Sequence, residues 1–304
     1  MVRSAARAAC QHRTMTDAWT TWRRAARPIQ VSGRTVATYD LGPVDGAAVT
    51  YLHGYPSASI DVAAVADRLA PDHRILTLDF PGFGASEKTP GHRHSIHAAA
   101  DAVEHLWRDR QVSHTLLVAH DYGVSVGQEL LARRVEGTLP VTLTGMVWMN
   151  GGLYPDLHRP TLGQQMLLDP AEGAGLAAGM TRDMFVEGIR GTWGQRAPMD
   201  EDAVGAIWDS MDDAGGVRQM HELLHYIADR REHELRWRAA LEGSDLPTAF
   251  VWGDLDSVSG AHMIARVEER IPSAKVVRMP DIGHWPPLEA PHEVAAEIRA
   301  LTGR

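Results

Sequence analysis

The sequence predicts an α/β protein: a mostly parallel sheet with helices on both faces and a helical cap inserted late in the chain. Three observations carry this. Apolar, β-branched runs alternate with helical patterns over short connections from about residue 48 to residue 150, the pattern of parallel strands joined by crossover helices. The alternation stops over residues 151–243, where no convincing strand occurs, and resumes at residue 248. At 304 residues, 44% apolar and 23% charged, the chain suits one large core with a sizeable insertion. The expected division is a flexible tail over 1–27, a core over 28–150 and 244–304, and a helical cap over 151–243.

In order, residues 28–31 and 35–41 flank the turn signal Ser32-Gly33-Arg34 and predict a β-hairpin. Strands follow at 48–52 and 74–79, with a helix over 62–69 between them and another over 95–108. The run from Thr115 to Ala119 reads as a strand that turns at His120-Asp121-Tyr122-Gly123 into a helix. A strand at 141–150 precedes the insertion, whose helices fall at 181–193, 201–211 and 217–241. Strands at 248–252 and 275–279 and helices at 260–270 and 291–301 close the chain.

The net charge is −9 without a basic stripe, so neither nucleic acid nor an anionic membrane is an expected partner. Cys10 is the sole cysteine; no intramolecular disulfide is possible, and a cytoplasmic setting is expected. Residues 1–27 are rich in Ala and Arg without a signal-peptide core, Met15 is the expected start with residues 1–14 disordered, and no run reaches the roughly 18 apolar residues of a membrane span.

The chemistry centres on Ala119-His120-Asp121-Tyr122-Gly123. Small residues around a reactive one let the chain turn sharply from strand to helix and present the central side chain at the tip, here an aspartate. The plain alternative is an aspartate capping the next helix. A carboxylate nucleophile attacks carbon, and the resulting ester needs a base, an acid to hold that base and oxyanion donors. Asp256 ends the strand at 248–252 and His284 follows the last strand, giving the chain order nucleophile, acid, histidine. Sixteen histidines occur, and position is what singles out His284. The backbone N–H groups of Tyr55, in His53-Gly54-Tyr55-Pro56, and of Tyr122 are the candidate oxyanion donors.

Other motifs carry less. Gly82-x-Gly84 lacks the rest of a dinucleotide fingerprint. His221-Glu222-Leu223-Leu224-His225 satisfies H-E-x-x-H, the pattern of a zinc protease, with Glu242 the available third ligand, but no further histidine motif follows. A non-catalytic binding protein on the same fold is the remaining alternative.

His53-Gly54-Tyr55-Pro56, Asp79-x-Pro81-Gly82-x-Gly84-x-Ser86, His120-Asp121-Tyr122-Gly123, Gly253-x-x-Asp256 and Gly283-His284 together resemble the α/β-hydrolase superfamily. The resemblance runs over about residues 30–301 and is to its aspartate-nucleophile branch of epoxide hydrolases and haloalkane dehalogenases. Asn150-Gly151-Gly152, His158-Arg159-Pro160 and Leu223-Leu224-His225-Tyr226-Ile227 look most like the mesoderm-specific transcript type; that type's N-terminal membrane segment is absent here, and its localisation is not carried over.

The resemblance implies an α/β-hydrolase fold, Asp121 as nucleophile, His284 as base, Asp256 as its acid, and a small apolar electrophilic substrate with water. No metal or cofactor is implied. An oxirane oxygen needs a proton donor: Tyr226 matches one cap tyrosine of epoxide hydrolases, and Tyr154 matches the second weakly; a core aromatic is the plain alternative for Tyr226. A halide needs N–H donors, usually an indole after the nucleophile, where this chain has Tyr122; Tyr55 replaces an Asn, leaving Trp148, Trp193 or Trp285 as substitutes. Epoxide hydrolysis is the expected activity, and haloalkane or haloacid dehalogenation the alternative.

Overall fold

The computed structural model describes residues 17–303 apart from Pro90. Cys10, Met15 and the expected start of the chain lie outside the described residues. The chain begins with α1 (Asp17–Arg24), β1 (Ile29–Val31), β2 (Arg34–Val36), β3 (Thr38–Leu41), β4 (Ala47–Leu52), α2 (Ala63–Leu69) and β5 (His73–Leu78). It continues with α3 (Ile96–Asp109), β6 (His114–His120), α4 (Tyr122–Val135) and β7 (Thr142–Met149). Up to β8 (Thr248–Gly253) the regular elements of the described residues are all helical: α5 (Leu162–Leu167), α6 (Gly173–Ala178), α7 (Arg182–Arg190), α8 (Glu201–Asp212), α9 (Met220–Leu223), α10 (Tyr226–Glu232) and α11 (Glu234–Glu242), with short 3-10 turns. Then come α12 (Ala261–Arg270), β9 (Lys275–Met279), α13 (Pro286–Glu289) and α14 (Pro291–Thr302).

Seven strands form one sheet in the order β3-β5-β4-β6-β7-β8-β9. Every pair is parallel except β3 with β5. Side chains alternate along each strand, so both faces are apolar. In β6, Leu116 and Val118 pack on the α2 and α14 side, while Leu117 and Ala119 join α3, α4 and α11 on the other. Helix starts follow local capping: Ser95 accepts from Ala98 N at 3.2 Å ahead of α3, and Thr161 forms a capping box with Gln164 ahead of α5.

Three expectations are corrected. The second hairpin arm is split: β2 pairs with β1, whereas β3 leaves it to pair with β5. Ala37 sits at the switch, where its amide donates to Ser86 Oγ (2.9 Å) and its carbonyl accepts from Asp79 N (2.9 Å). Residues 17–27 are not wholly a flexible tail, because α1 packs against α8 with Trp19 fully buried and Trp22 Nε1 donates to Ser59 Oγ at 2.9 Å. The helix expected over 217–241 is three short ones. Between α9 and α10 the hydrogen bonds tighten to Ile227 N→Leu224 O and Ala228 N→His225 O, while Asp229 accepts from Ile96 N at 2.9 Å and ties α10 to the start of α3.

Glu129, in α4, latches α11 onto the core. This buried carboxylate accepts from Arg133 Nε (2.8 Å), Trp237 Nε1 (2.8 Å) and Arg236, and lies 3.0 Å from His97 Nδ1. Burial pushes its pKa up, but His97, Arg236 and Arg133 outweigh that and hold it well below the usual carboxylate range.

Candidate functional site

The turn from β6 to α4 places Asp121 at φ 45°, ψ −103°. A non-glycine residue there is strained by about 1–3 kcal/mol and persists only where its surroundings enforce it. Those surroundings have no room to relax. A Cβ on Gly123 would lie 2.3 Å from the Leu52 carbonyl oxygen, and one on Gly54 would lie 3.0 Å from Asp121 Cβ. Gly123 N donates to His53 O at 3.0 Å, and Asp121 N to Asn150 O at 3.1 Å.

Asp121 precedes α4, yet its side chain makes no capping hydrogen bond. Its Oδ1 instead accepts from Tyr55 N at 2.8 Å, and its Oδ2 lies 3.6 Å from His284 Nε2. Tyr122 opens α4, so its amide has no acceptor within the helix. His284 Nδ1 meets Asp256 Oδ2 at 2.8 Å. The Asp256 carboxylate also accepts from Val258 N (2.8 Å), Ser259 Oγ (2.7 Å) and Asn150 Nδ2 (3.0 Å). Burial raises its pKa, but the charge and hydrogen bond of His284 outweigh that and hold it far below the usual carboxylate value. For His284, burial favours the neutral ring; the charge and hydrogen bond of Asp256, then the charge of Asp121, overcome this and lift it to about 9.

The His284 loop is clamped from both sides. Its amide donates to Thr192 O at 2.8 Å, and its carbonyl lies 2.8 Å from His120 Nε2. Glu289 accepts from Trp285 N at 3.0 Å and from Gly194 N at 2.7 Å, joining the loop to the helical insertion.

Tyr55, His284 and Trp285 face a cavity of about 140 Å³ whose walls include Leu167, Met180, Phe185 and Ile189. That volume is in the range of an apolar cavity that holds one benzene-sized molecule. Tyr226, the first residue of α10, is buried, its ring 4.8 Å from that of Tyr122 and its hydroxyl beside the Arg230 guanidinium. Burial, then the charge of Asp121, pushes the phenol's pKa up.

Tyr154 is not brought to Asp121. Burial and then Glu242, on α11, act on its hydroxyl, and Arg266 lies 5.7 Å from its ring centre. The indoles are engaged or elsewhere: Trp285 Nε1 donates to Thr192 Oγ1 (3.0 Å) and Trp193 Nε1 to Ala197 O (3.2 Å), while Trp148 lines a separate cavity with Leu131 and Phe250. The H-E-x-x-H run is not one helical face, because α9 ends at Leu223 and His225 lies exposed in the turn beyond it. Glu242 pairs with Arg270 at 3.0 Å, and the described residues hold no cluster of three His, Cys, Asp or Glu able to bind a metal.

Sequence reasoning missed one residue beside the site and left two others without a role. Asn150 was legible only as part of a family motif; it donates to Gly253 O (2.8 Å) and accepts from Gly253 N (2.7 Å) while holding Asp256. Its place at the end of β7 was the available signal. His158, likewise legible only within a family motif, carries two buried ring nitrogens without partners; Arg230 lies fully buried against Tyr226, and no sequence pattern marks it as part of the site.

A doubly covered parallel sheet, a strained aspartate between strand and helix, and a histidine–aspartate pair beyond the last strands define the α/β-hydrolase class. A family model described as alpha/beta hydrolase fold matches residues 47–291, and the chain belongs to that family as an enzyme of this fold. It is 36% identical over 262 residues to a protein of Mycobacterium tuberculosis named putative hydrolase LipZ, covering 86% of this chain and 90% of the relative. It is 33% identical over 256 residues to the Homo sapiens mesoderm-specific transcript homolog protein, covering 80% and 75%. Among solved structures, the haloalkane dehalogenase DbeA of Bradyrhizobium elkani shares the fold at TM-score 0.75 and 21% identity, over 91% of this chain and 98% of that one. No helix among the described residues is long and apolar enough to cross a membrane.

Proposed function

We propose that the protein hydrolyses a small electrophile, an epoxide in the first instance, through an alkyl ester on Asp121. The observation that carries this is the Asp121 carboxylate, strained in its backbone, uncommitted to capping α4 and held between Tyr55 N and His284. An aspartate whose task was to cap the helix would point the other way.

In the first step Asp121 attacks an oxirane carbon, the C–O bond breaks, and the departing oxygen takes the Tyr226 proton. In the second, His284 takes a proton from water, which adds to the Asp121 carboxyl carbon. The amides of Tyr55 and Tyr122 hold the resulting oxyanion, a contribution of about 2.7–4 kcal/mol for each such donor. Collapse passes the added hydroxyl's proton to the departing alkoxide, which releases the diol and restores the Asp121 carboxylate, and the proton held by His284 returns to Tyr226 through water. Asp256 keeps the His284 ring oriented throughout.

Dehalogenation is the second reading, favoured by the dehalogenase names among the structural neighbours. Against it stand the indoles of Trp193 and Trp285, both already donating to other acceptors. Turnover of a panel of small epoxides and haloalkanes, read as diol and halide release, separates the two. Diol formation that Tyr226→Phe lowers at least ~100-fold supports the epoxide reading; halide release without diol reverses the order.

A further inference from the structure

Arg230, in α10, is 1% exposed. Among the described residues its guanidinium makes two hydrogen bonds and no ion pair: Nε donates to Ser125 Oγ at 2.7 Å, and Nη2 to the Asp121 backbone carbonyl at 3.4 Å. Nη1 is buried with no acceptor at close hydrogen-bond distance, and the Tyr226 hydroxyl is the polar group beside the guanidinium. A buried cation with no carboxylate at ion-pair distance is destabilising and needs an explanation.

Its neighbours make room for it. The Tyr226 ring lies 4.5 Å below the guanidinium carbon, and a Cβ on Gly152 would stand 2.4 Å from Nη1. His158 lies within the same field. Burial and then the Arg230 charge hold its pKa down to about 4, and the charges of Asp121, Asp256 and His284 reach it too. His158 is therefore a neutral donor or acceptor, and its two ring nitrogens are buried without partners. The carboxylates of Asp121 and Asp256 stand against the cations of His284 and Arg230. Without Arg230 the balance is negative, and the site repels an anion.

We propose that Arg230 is an anion-binding residue of this site, taking the carboxylate of an electrophile whose reactive carbon is adjacent to it, as in a 2-halo or 2,3-epoxy carboxylic acid. A carboxylate accepts from Nη1 and Nη2 together by displacing only the 3.4 Å contact, while Nε stays on Ser125. Arginine does not give up its proton in proteins, so it suits a permanent charge rather than protonation of a departing oxygen. The reactive-carbon part rests on the Asp121 reading; the carboxylate contact does not.

The test is calorimetric titration at neutral pH of propionate and of propionamide, its neutral counterpart, into the wild type, Arg230→Gln and Arg230→Lys. The wild type should bind propionate about 10- to 100-fold more tightly than propionamide, the gain of charge-assisted hydrogen bonds. Arg230→Gln should lose that preference and Arg230→Lys keep part of it, with propionamide unchanged in both. A wild type that binds the amide as tightly as the acid overturns the proposal whether or not the Gln variant folds, and so does a Gln variant that keeps the preference. Intact mass of His284→Gln after incubation with 2,3-epoxypropionate or 2,3-epoxypropionamide separates the two readings. An adduct from the amide alone overturns the Arg230 assignment. An adduct from neither counts against alkylation of Asp121, while the titration still decides on Arg230.

Discussion

Asp121, Asp256 and His284 were legible in the sequence because each closes a strand, with small residues or a glycine around it, and strand ends on one side of a parallel sheet converge without further information. Asn150 and Arg230 were not, since each meets its partners across about a hundred residues. Asn150 joins β7 to the loop after β8, so Asn150→Ala should cost about 1–3 kcal/mol through the orphaned Gly253 amide, read as a lower denaturation midpoint, and lower kcat more than it raises KM. A kcat unchanged at that stability loss would mean that Asn150 serves the fold alone. His284 titrates near 9 partly because of the Asp121 charge, and esterification removes that charge. The basic form needed for hydrolysis should therefore emerge at lower pH in the covalent intermediate than in the free enzyme, visible as a kcat profile shifted acidward of the His284 NMR titration.

At the scale of elements, the strands, the core helices and α7 and α8 of the insertion followed their apolar periodicity, whereas the run over 217–241 did not. Local pattern favoured one helix over 217–241, but Asp229 on Ile96 N and Glu129 beneath Trp237 fix α10 and α11 as separate pieces. Glu129→Ala should destabilise the protein by about 1–3 kcal/mol, because it orphans the buried Trp237 Nε1 donor, while Arg133 keeps Glu104 and Arg236 keeps Glu136; chemical denaturation measures this. The β6–α4 crossing is equally intolerant. Gly123→Ala drives a methyl toward the Leu52 carbonyl, should cost at least about 1–3 kcal/mol, and should displace Asp121 from the Tyr55 amide, so that activity falls even in the folded fraction.

For the whole molecule, the site couples stability to pH with a defined sign. His284 is raised from 6.5 to about 9 on folding, so its contribution is full below 6.5 and is lost as pH rises through about 9. Asp256 is lowered from 3.8, so its contribution is present above 3.8 and is lost as pH falls through its depressed value. Denaturation midpoints should therefore decline between pH 6.5 and 9, and His284→Gln should flatten that decline. The central claim is covalent chemistry at Asp121, and intact mass with peptide mapping of the His284→Gln protein, after exposure to a small epoxide that the wild type turns over, tests it most directly. The account predicts a mass gain equal to the epoxide, located on the peptide that carries Asp121; an unmodified protein, or an adduct on any other residue, contradicts it.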